Sequence, residues 1–128
     1  LVVEDDAGAR NALRLLLSEE GFTVEASASA EEALARLTEL DPDLLLVDLC
    51  LPGMSGVALA RRARELLGEL PVLVMSGLDE DDRAVARWLC EPKVGHVSKP
   101  IQLDRLISAL DRLLAEEPLR AGPRSSPA

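Results

Sequence analysis

Apolar and polar positions along this chain fall into two recurring patterns. Short apolar runs, "LVV" at 1–3, "LLLV" at 44–47 and "VLVM" at 72–75, alternate with longer stretches in which apolar residues return every three or four positions. The runs at 44–47 and 72–75 are apolar throughout, as strands buried on both faces of a parallel sheet must be. "FTVEA" at 22–26 instead alternates Phe22, Val24 and Ala26 with polar residues, which predicts a strand more exposed on one side. "VGHV" at 94–97 completes a set of five strands.

The helical stripes are as regular. Ala9, Leu13, Leu16 and Leu17 predict a first helix that Gly21 ends. Ser29 followed by Glu32 forms a capping box, and Ala33, Leu34, Leu37 and Leu40 keep helical spacing until Asp41-Pro42 stops it. Val57, Ala60, Ala63, Leu66 and Leu67 predict a third helix ending at Gly68, and Val85, Trp88 and Leu89 a short fourth. Leu103, Leu106, Ile107, Leu110, Leu113 and Leu114 mark the last, within 101–116. Strict alternation of strand and helix implies right-handed crossovers that cover both faces of the sheet. The predicted fold class is therefore α/β, a doubly wound five-stranded parallel sheet of flavodoxin-like order 2-1-3-4-5.

Residues 1–116 carry this pattern and form one domain. Residues 117–128 are rich in Pro, Ser, Gly and Arg without periodicity, and read as a flexible tail or linker. Only three residues precede the first acids and no Met opens the chain, whereas a strand averages about five or six residues. The expectation is a piece of a longer protein that begins inside its first strand.

Composition sharpens the picture in three ways. Aromatic residues are only 2% of the chain, so the core must be packed from Leu, Val and Ala. The net charge of −9 disfavours nucleic acid and anionic membrane surfaces as direct partners and favours cations. No apolar run approaches the roughly 20 residues that span a bilayer, and no secretory leader pattern opens the chain, so a cytoplasmic location is expected. Cys50 and Cys90 are too few and too far apart for a disulfide framework or a thiolate zinc site, and are expected to be reduced.

The chemistry lies where strands end. In an open α/β sheet the ligand crevice sits at the carboxyl ends of the strands, at the point where strand order reverses, between strands one and three. Those ends carry Glu4-Asp5-Asp6 and Asp48. Crowded carboxylates raise one another's pKa unless some are protonated or a cation binds. An all-oxygen ligand set suits Mg²⁺, which keeps several waters and shares positions with phosphate oxygens. Ser76 follows the fourth strand directly and Lys99 the fifth, so both are expected to face the same crevice. A metal, a hydroxyl and an ammonium around one carboxylate can stabilise the oxygens of a transferring phosphoryl group, with the carboxylate as acceptor.

"VVEDD" (2–6), "PDLLLVDLCLPGMSG" (42–56), "PVLVMSG" (71–77) and "VSKP" (97–100), in this order and spacing, resemble the receiver domain of bacterial two-component response regulators. The resemblance covers residues 1 to about 116. It implies that Asp48 receives a phosphoryl group from a phosphohistidine. It further implies that Asp5 and Asp48 bind Mg²⁺ or Mn²⁺, with the backbone carbonyl of Cys50 as another ligand and Glu4 acting through water. Ser76 matches the switch hydroxyl, Lys99 the cation that pairs with the phosphoryl oxygens, and Pro100 the proline that follows it in a cis bond. Asp6 falls outside the family's acidic pair and is expected to cap the first helix.

Two stretches depart from the family pattern. His96 stands where an aromatic that swings inward on activation is usual, and is expected to take that switch role. "LCEPKVGH" (89–96) replaces a small-residue turn, and Pro92 bars a continued helix there. Trp88 is expected to be partly buried, and the "DEDD" run at 79–82 to be a solvated loop and helix start.

The implied activity is a switch with self-directed phosphotransfer and autodephosphorylation, not turnover of an external substrate. The implied partner is a sensor histidine kinase or phosphotransfer domain. A homodimer stays open, as does the choice between a free regulator and the receiver of a hybrid kinase. One rival is a magnesium-dependent phosphohydrolase with an aspartate nucleophile. Such enzymes carry a second acid two positions on, where this chain has Cys50. The other rival is a degenerate receiver that serves only as a docking or dimerisation module.

Overall fold

Residues 1–77 and 90–115 are described by the structure, a computed structural model, and hold five strands and four helices. In chain order these are β1 (Val2–Val3), α1 (Ala7–Glu19), β2 (Ala26–Ser27), α2 (Ala30–Leu40), β3 (Leu45–Asp48), α3 (Gly56–Leu67), β4 (Val72–Ser76), β5 (Val94–Ser98) and α4 (Leu103–Ala115). All four strand pairings are parallel and the order is β2-β1-β3-β4-β5, as predicted. The predicted helix with Val85, Trp88 and Leu89, the "DEDD" run and the tail at 117–128 lie outside the described residues.

Because side chains alternate along a strand, the sheet divides the apolar interior into two layers. Val3, Leu45, Val47, Val72 and Val74 point to one face, where Ala30, Ala33 and Leu37 of α2 and Leu59, Ala60 and Ala63 of α3 pack. Val2, Leu46, Leu73, Met75 and Val97 point to the other, under Leu13 and Leu17 of α1 and Leu106, Leu110 and Leu113 of α4. Both faces of β3 and β4 are thus covered, which is why the runs at 44–47 and 72–75 are apolar at every position. No helix among the described residues is long and apolar enough to cross a membrane.

Three expectations need adjusting. The paired part of β2 is Ala26–Ser27, not 22–26, although Val2 N–H already donates to Glu25 O at 2.8 Å and Phe22, Val24 and Ala26 do pack against the second layer. Burial alternates there as predicted, but the ladder starts later because β1 offers only two paired residues. On α1, Leu16 is 38% exposed, and on α3, Leu66 is 49% exposed while Leu59 is fully buried. Leu59 shares the sheet-facing side with Ala63 through their i, i+4 relation, and Leu66 falls at the edge of that stripe.

Local capping follows the side-chain chemistry. Asp6 accepts from Ala9 N–H at 2.8 Å and Ser29 from Glu32 N–H at 3.0 Å, both as expected, and Ser55 does the same for α3 with Ala58 N–H at 3.1 Å. Each satisfies a helix-end donor that would otherwise lack a partner.

Gly56 opens α3 directly beneath the end of β3. A Cβ there would lie 2.5 Å from the backbone oxygen of Asp48 and 3.1 Å from a Val47 methyl. Alanine is the better helix former by at most about 1 kcal/mol, whereas forcing a methyl against fixed backbone costs about 1–3 kcal/mol, so strain should win. Gly56→Ala is expected to lower the urea midpoint; an unchanged or raised midpoint would contradict the close approach.

Candidate functional site

Sheet register brings the acids together. Val3 pairs with Val47, so the next residue, Glu4, comes level with Asp48, while Asp48 itself pairs with Met75. Glu4 and Asp48 are each 2% exposed, and Asp5 is exposed beside them. Carboxylate oxygens of Glu4, Asp5 and Asp48 all lie within 4.8 Å of one another. Lys99 follows β5 and reaches across: its Nζ donates to Asp48 Oδ2 at 2.7 Å and lies 3.5 Å from Glu4 Oε1. The other Asp48 oxygen, Oδ1, accepts from Cys50 N–H at 3.0 Å. The Lys99-Pro100 peptide is cis.

Ser76 closes β4 and is buried, and its Oγ is hydrogen-bonded to Nε2 of His96, whose side chain on β5 is exposed. Glu4, Asp5, Asp48, Ser76, His96 and Lys99 thus fall at one end of the sheet. Cys50 presents its main chain to Asp48; its side chain and that of Cys90 are exposed, and neither is in a disulfide.

Electrostatics follow from this crowding. Burial pushes the Glu4 carboxyl up from 4.5 to about 7; Asp6 N–H, donating to Glu4 Oε2 at 3.2 Å, opposes the rise, Asp48 adds to it through charge and a hydrogen bond, and Lys99 opposes it more weakly. For Lys99, burial alone would lower the pKa. The hydrogen bond and charge of Asp48, with Glu4 behind them, overcome that loss and hold the ammonium above its ordinary value. Among the described residues, the Lys99 ammonium faces the three acids Glu4, Asp5 and Asp48. The donor set is oxygen only and anionic, which fits a hard divalent ion such as Mg²⁺.

This has a sign that can be measured. Glu4 binds its proton more tightly in the folded chain than in the unfolded one, so between pH 4.5 and about 7 folding takes up protons and stability falls as pH rises. Glu4→Gln removes this dependence. Without added metal, the stability of the variant relative to wild type should climb across that window by about 2–3 kcal/mol, read from urea midpoints at a series of pH values. A constant difference would mean that Glu4 titrates normally.

Three further residues shape the site, and of these Arg10 and Glu31 carried no signal in the sequence. Arg10 on α1 donates to the carbonyls of Glu4 at 3.0 Å and Asp5 at 3.4 Å, fixing the acidic turn from behind. Glu31 on α2 accepts from Met54 N–H at 3.1 Å, tying the loop after Asp48 to a neighbouring helix. Gly53 in that loop has φ +77°, and a Cβ there would meet the same Glu31 oxygen at 2.8 Å. At the opposite end of the sheet, Arg64 donates to Leu70 O at 3.1 Å and to Pro92 O at 2.6 Å, holding the turn that enters β5.

Comparison with known proteins identifies the family. The family profile of the response regulator receiver domain matches residues 1–111. The chain belongs to the response regulator receiver family. This receiver is 37% identical over 129 residues to the two-component response regulator PhoP of Pseudomonas aeruginosa, covering 96% of this chain and 57% of PhoP. It is 36% identical over 126 residues to the transcriptional regulatory protein AfsQ1 of Streptomyces coelicolor, covering 98% of this chain and 53% of that protein. The receiver therefore spans about half the length of the curated relatives it matches. Among solved structures, a putative response regulator from Chloroflexus aurantiacus superimposes with a TM-score of 0.79 at 30% identity, covering 89% of this chain and 94% of that one. Receiver domains are signalling phosphoacceptors of two-component systems that interact with histidine kinases or phosphotransfer proteins.

Proposed function

We propose that Asp48 of this receiver takes a phosphoryl group from a phosphohistidine of a sensor histidine kinase or phosphotransfer domain. The observation that carries the reading is the Lys99 ammonium 2.7 Å from a buried Asp48 carboxylate that already lies within 4.8 Å of two other acids. In the step, an Asp48 oxygen bonds to phosphorus as the phosphorus–nitrogen bond breaks. The electron pair stays on the departing imidazole, which takes up a proton, and Asp48 becomes an acyl phosphate.

Asp5, Asp48 and the main-chain carbonyl of Cys50 would hold Mg²⁺ or Mn²⁺, with Glu4 acting through water, and the ion supplies positive charge against the phosphoryl oxygens. Lys99 then follows the phosphoryl group, and Ser76 offers it a hydroxyl hydrogen. The new charge beside these two groups biases the face that bears Ser76 and His96, and so alters partner binding. Hydrolysis of the acyl phosphate resets the switch, with no external substrate turned over.

The test is intact mass after incubation with acetyl phosphate and Mg²⁺. One phosphoryl group should be gained, mapping to Asp48 and failing to appear when Mg²⁺ is withheld. No gain, or a gain elsewhere, would overturn the reading. Repeated turnover of generic phosphoesters would favour the phosphohydrolase instead.

A further inference from the structure

The hydroxyl of Ser76 has one hydrogen to give. Ser76 is only 4% exposed, and its Oγ is bonded to His96 Nε2. A neutral imidazole carries a hydrogen on one nitrogen and a lone pair on the other. If Nε2 held the hydrogen, the imidazole would donate to Oγ, and the buried hydroxyl hydrogen would have no acceptor among the described residues. If Nδ1 holds it, Ser76 donates to Nε2 while the exposed ring satisfies Nδ1 with water. A buried donor left without an acceptor is costly, so the second arrangement is the stable one.

We infer that His96 is a positioning residue that restrains the switch by taking the hydroxyl hydrogen that Ser76 would otherwise offer to the phosphoryl group. This rests on the acceptor role of Asp48 proposed above and adds its regulation. A single hydrogen cannot serve Nε2 and a phosphoryl oxygen fully at once. The anionic oxygen is the stronger acceptor and wins once present, but the bond to His96 must first be given up. A phenylalanine or leucine at position 96 would impose no such toll, because neither can accept. The restraint therefore comes from this chain's histidine and not from its ring shape, and it acts on one residue, Ser76, to which the proposed function gives the role of meeting the phosphoryl group.

The probe is beryllofluoride, an anion that mimics the phosphoryl group on aspartate, titrated with Mg²⁺ against the full chain and followed by fluorine NMR. His96→Phe keeps a flat ring and removes the acceptor. It should bind beryllofluoride about fivefold more tightly than wild type, the worth of one ordinary hydrogen bond. His96→Gln, which retains an acceptor at similar reach, should stay near wild type. In a Ser76→Ala background, His96→Phe should give no gain.

Equal or weaker binding by His96→Phe overturns the restraint, as does a gain that survives Ser76→Ala. In both cases wild type still takes the anion and the acceptor reading stands. A wild-type chain that takes none sinks both together. Far-UV circular dichroism of each variant separates these results from unfolding, which an exposed position is not expected to cause.

Discussion

Asp48→Asn should abolish phosphoryl uptake while the chain stays folded. The amide has the shape of the carboxylate, so its oxygen can still accept from Cys50 N–H, and the turn into the loop is kept. What disappears is the anionic nucleophile. Without it no acyl phosphate forms at any concentration of acetyl phosphate, and intact mass should show the unmodified chain only. The change also removes one of three clustered acids. Mg²⁺ takes one or two carboxylates and depends on their charge, so its affinity should fall about tenfold or more by calorimetric titration. Phosphoryl uptake retained by Asp48→Asn would move the acceptor elsewhere.

Lys99→Ala should show the second largest effect, and in two readouts. The ammonium is the one cation paired with the carboxylates of Asp48 and Glu4 among the described residues. A positioned donor to developing negative charge is worth about 100-fold in rate or more, so phosphorylation by acetyl phosphate should slow by about that factor while still mapping to Asp48. Stability should change as well. Truncating one member of a buried ion pair costs about 3–5 kcal/mol, but the Lys99 side chain is 37% exposed and water screens part of the loss, so about 1–2 kcal/mol is expected at neutral pH. Removing the cation takes away a group that holds the Glu4 carboxyl down, so Glu4 should move further up. Added Mg²⁺ should therefore restore more stability to Lys99→Ala than to wild type, measured as the shift in thermal midpoint. Equal shifts in the two proteins would show that the ion and the ammonium do not answer the same excess of charge.

The sequence made some of this legible because its signals are local. Continuous apolar runs at 44–47 and 72–75 announced strands covered on both sides, and they are β3 and β4 with a core layer on each face. Ser29 and Asp6 announced helix starts because capping acts within three residues. Glu4, Asp5, Asp48, Ser76 and Lys99 could be placed at one end of the sheet because each ends or follows a strand, and strand order then decides who meets whom.

What escaped has the opposite character. Glu31 and Met54 are 23 residues apart, and Arg64 and Pro92 are 28 apart. In each the side chain meets a main-chain atom, which has no residue identity to read. The extent of β2 escaped for a related reason: pairing is set by how much of β1 is available, not by the alternation in β2 itself. The bond between Ser76 and His96 needed the register of β4 on β5, in which Val74 stands opposite His96 and Ser76 one step further along the same face.

Two peptide groups help moor the loop after Asp48: Cys50 N–H to the acceptor carboxylate and Met54 N–H to Glu31. Peptide N–H groups come with every residue except proline. Evolution can therefore rewrite the exposed side chain at 50, cysteine here, without loosening that anchor. Novelty at that surface comes cheaply, and the arithmetic of charge beneath it is left untouched.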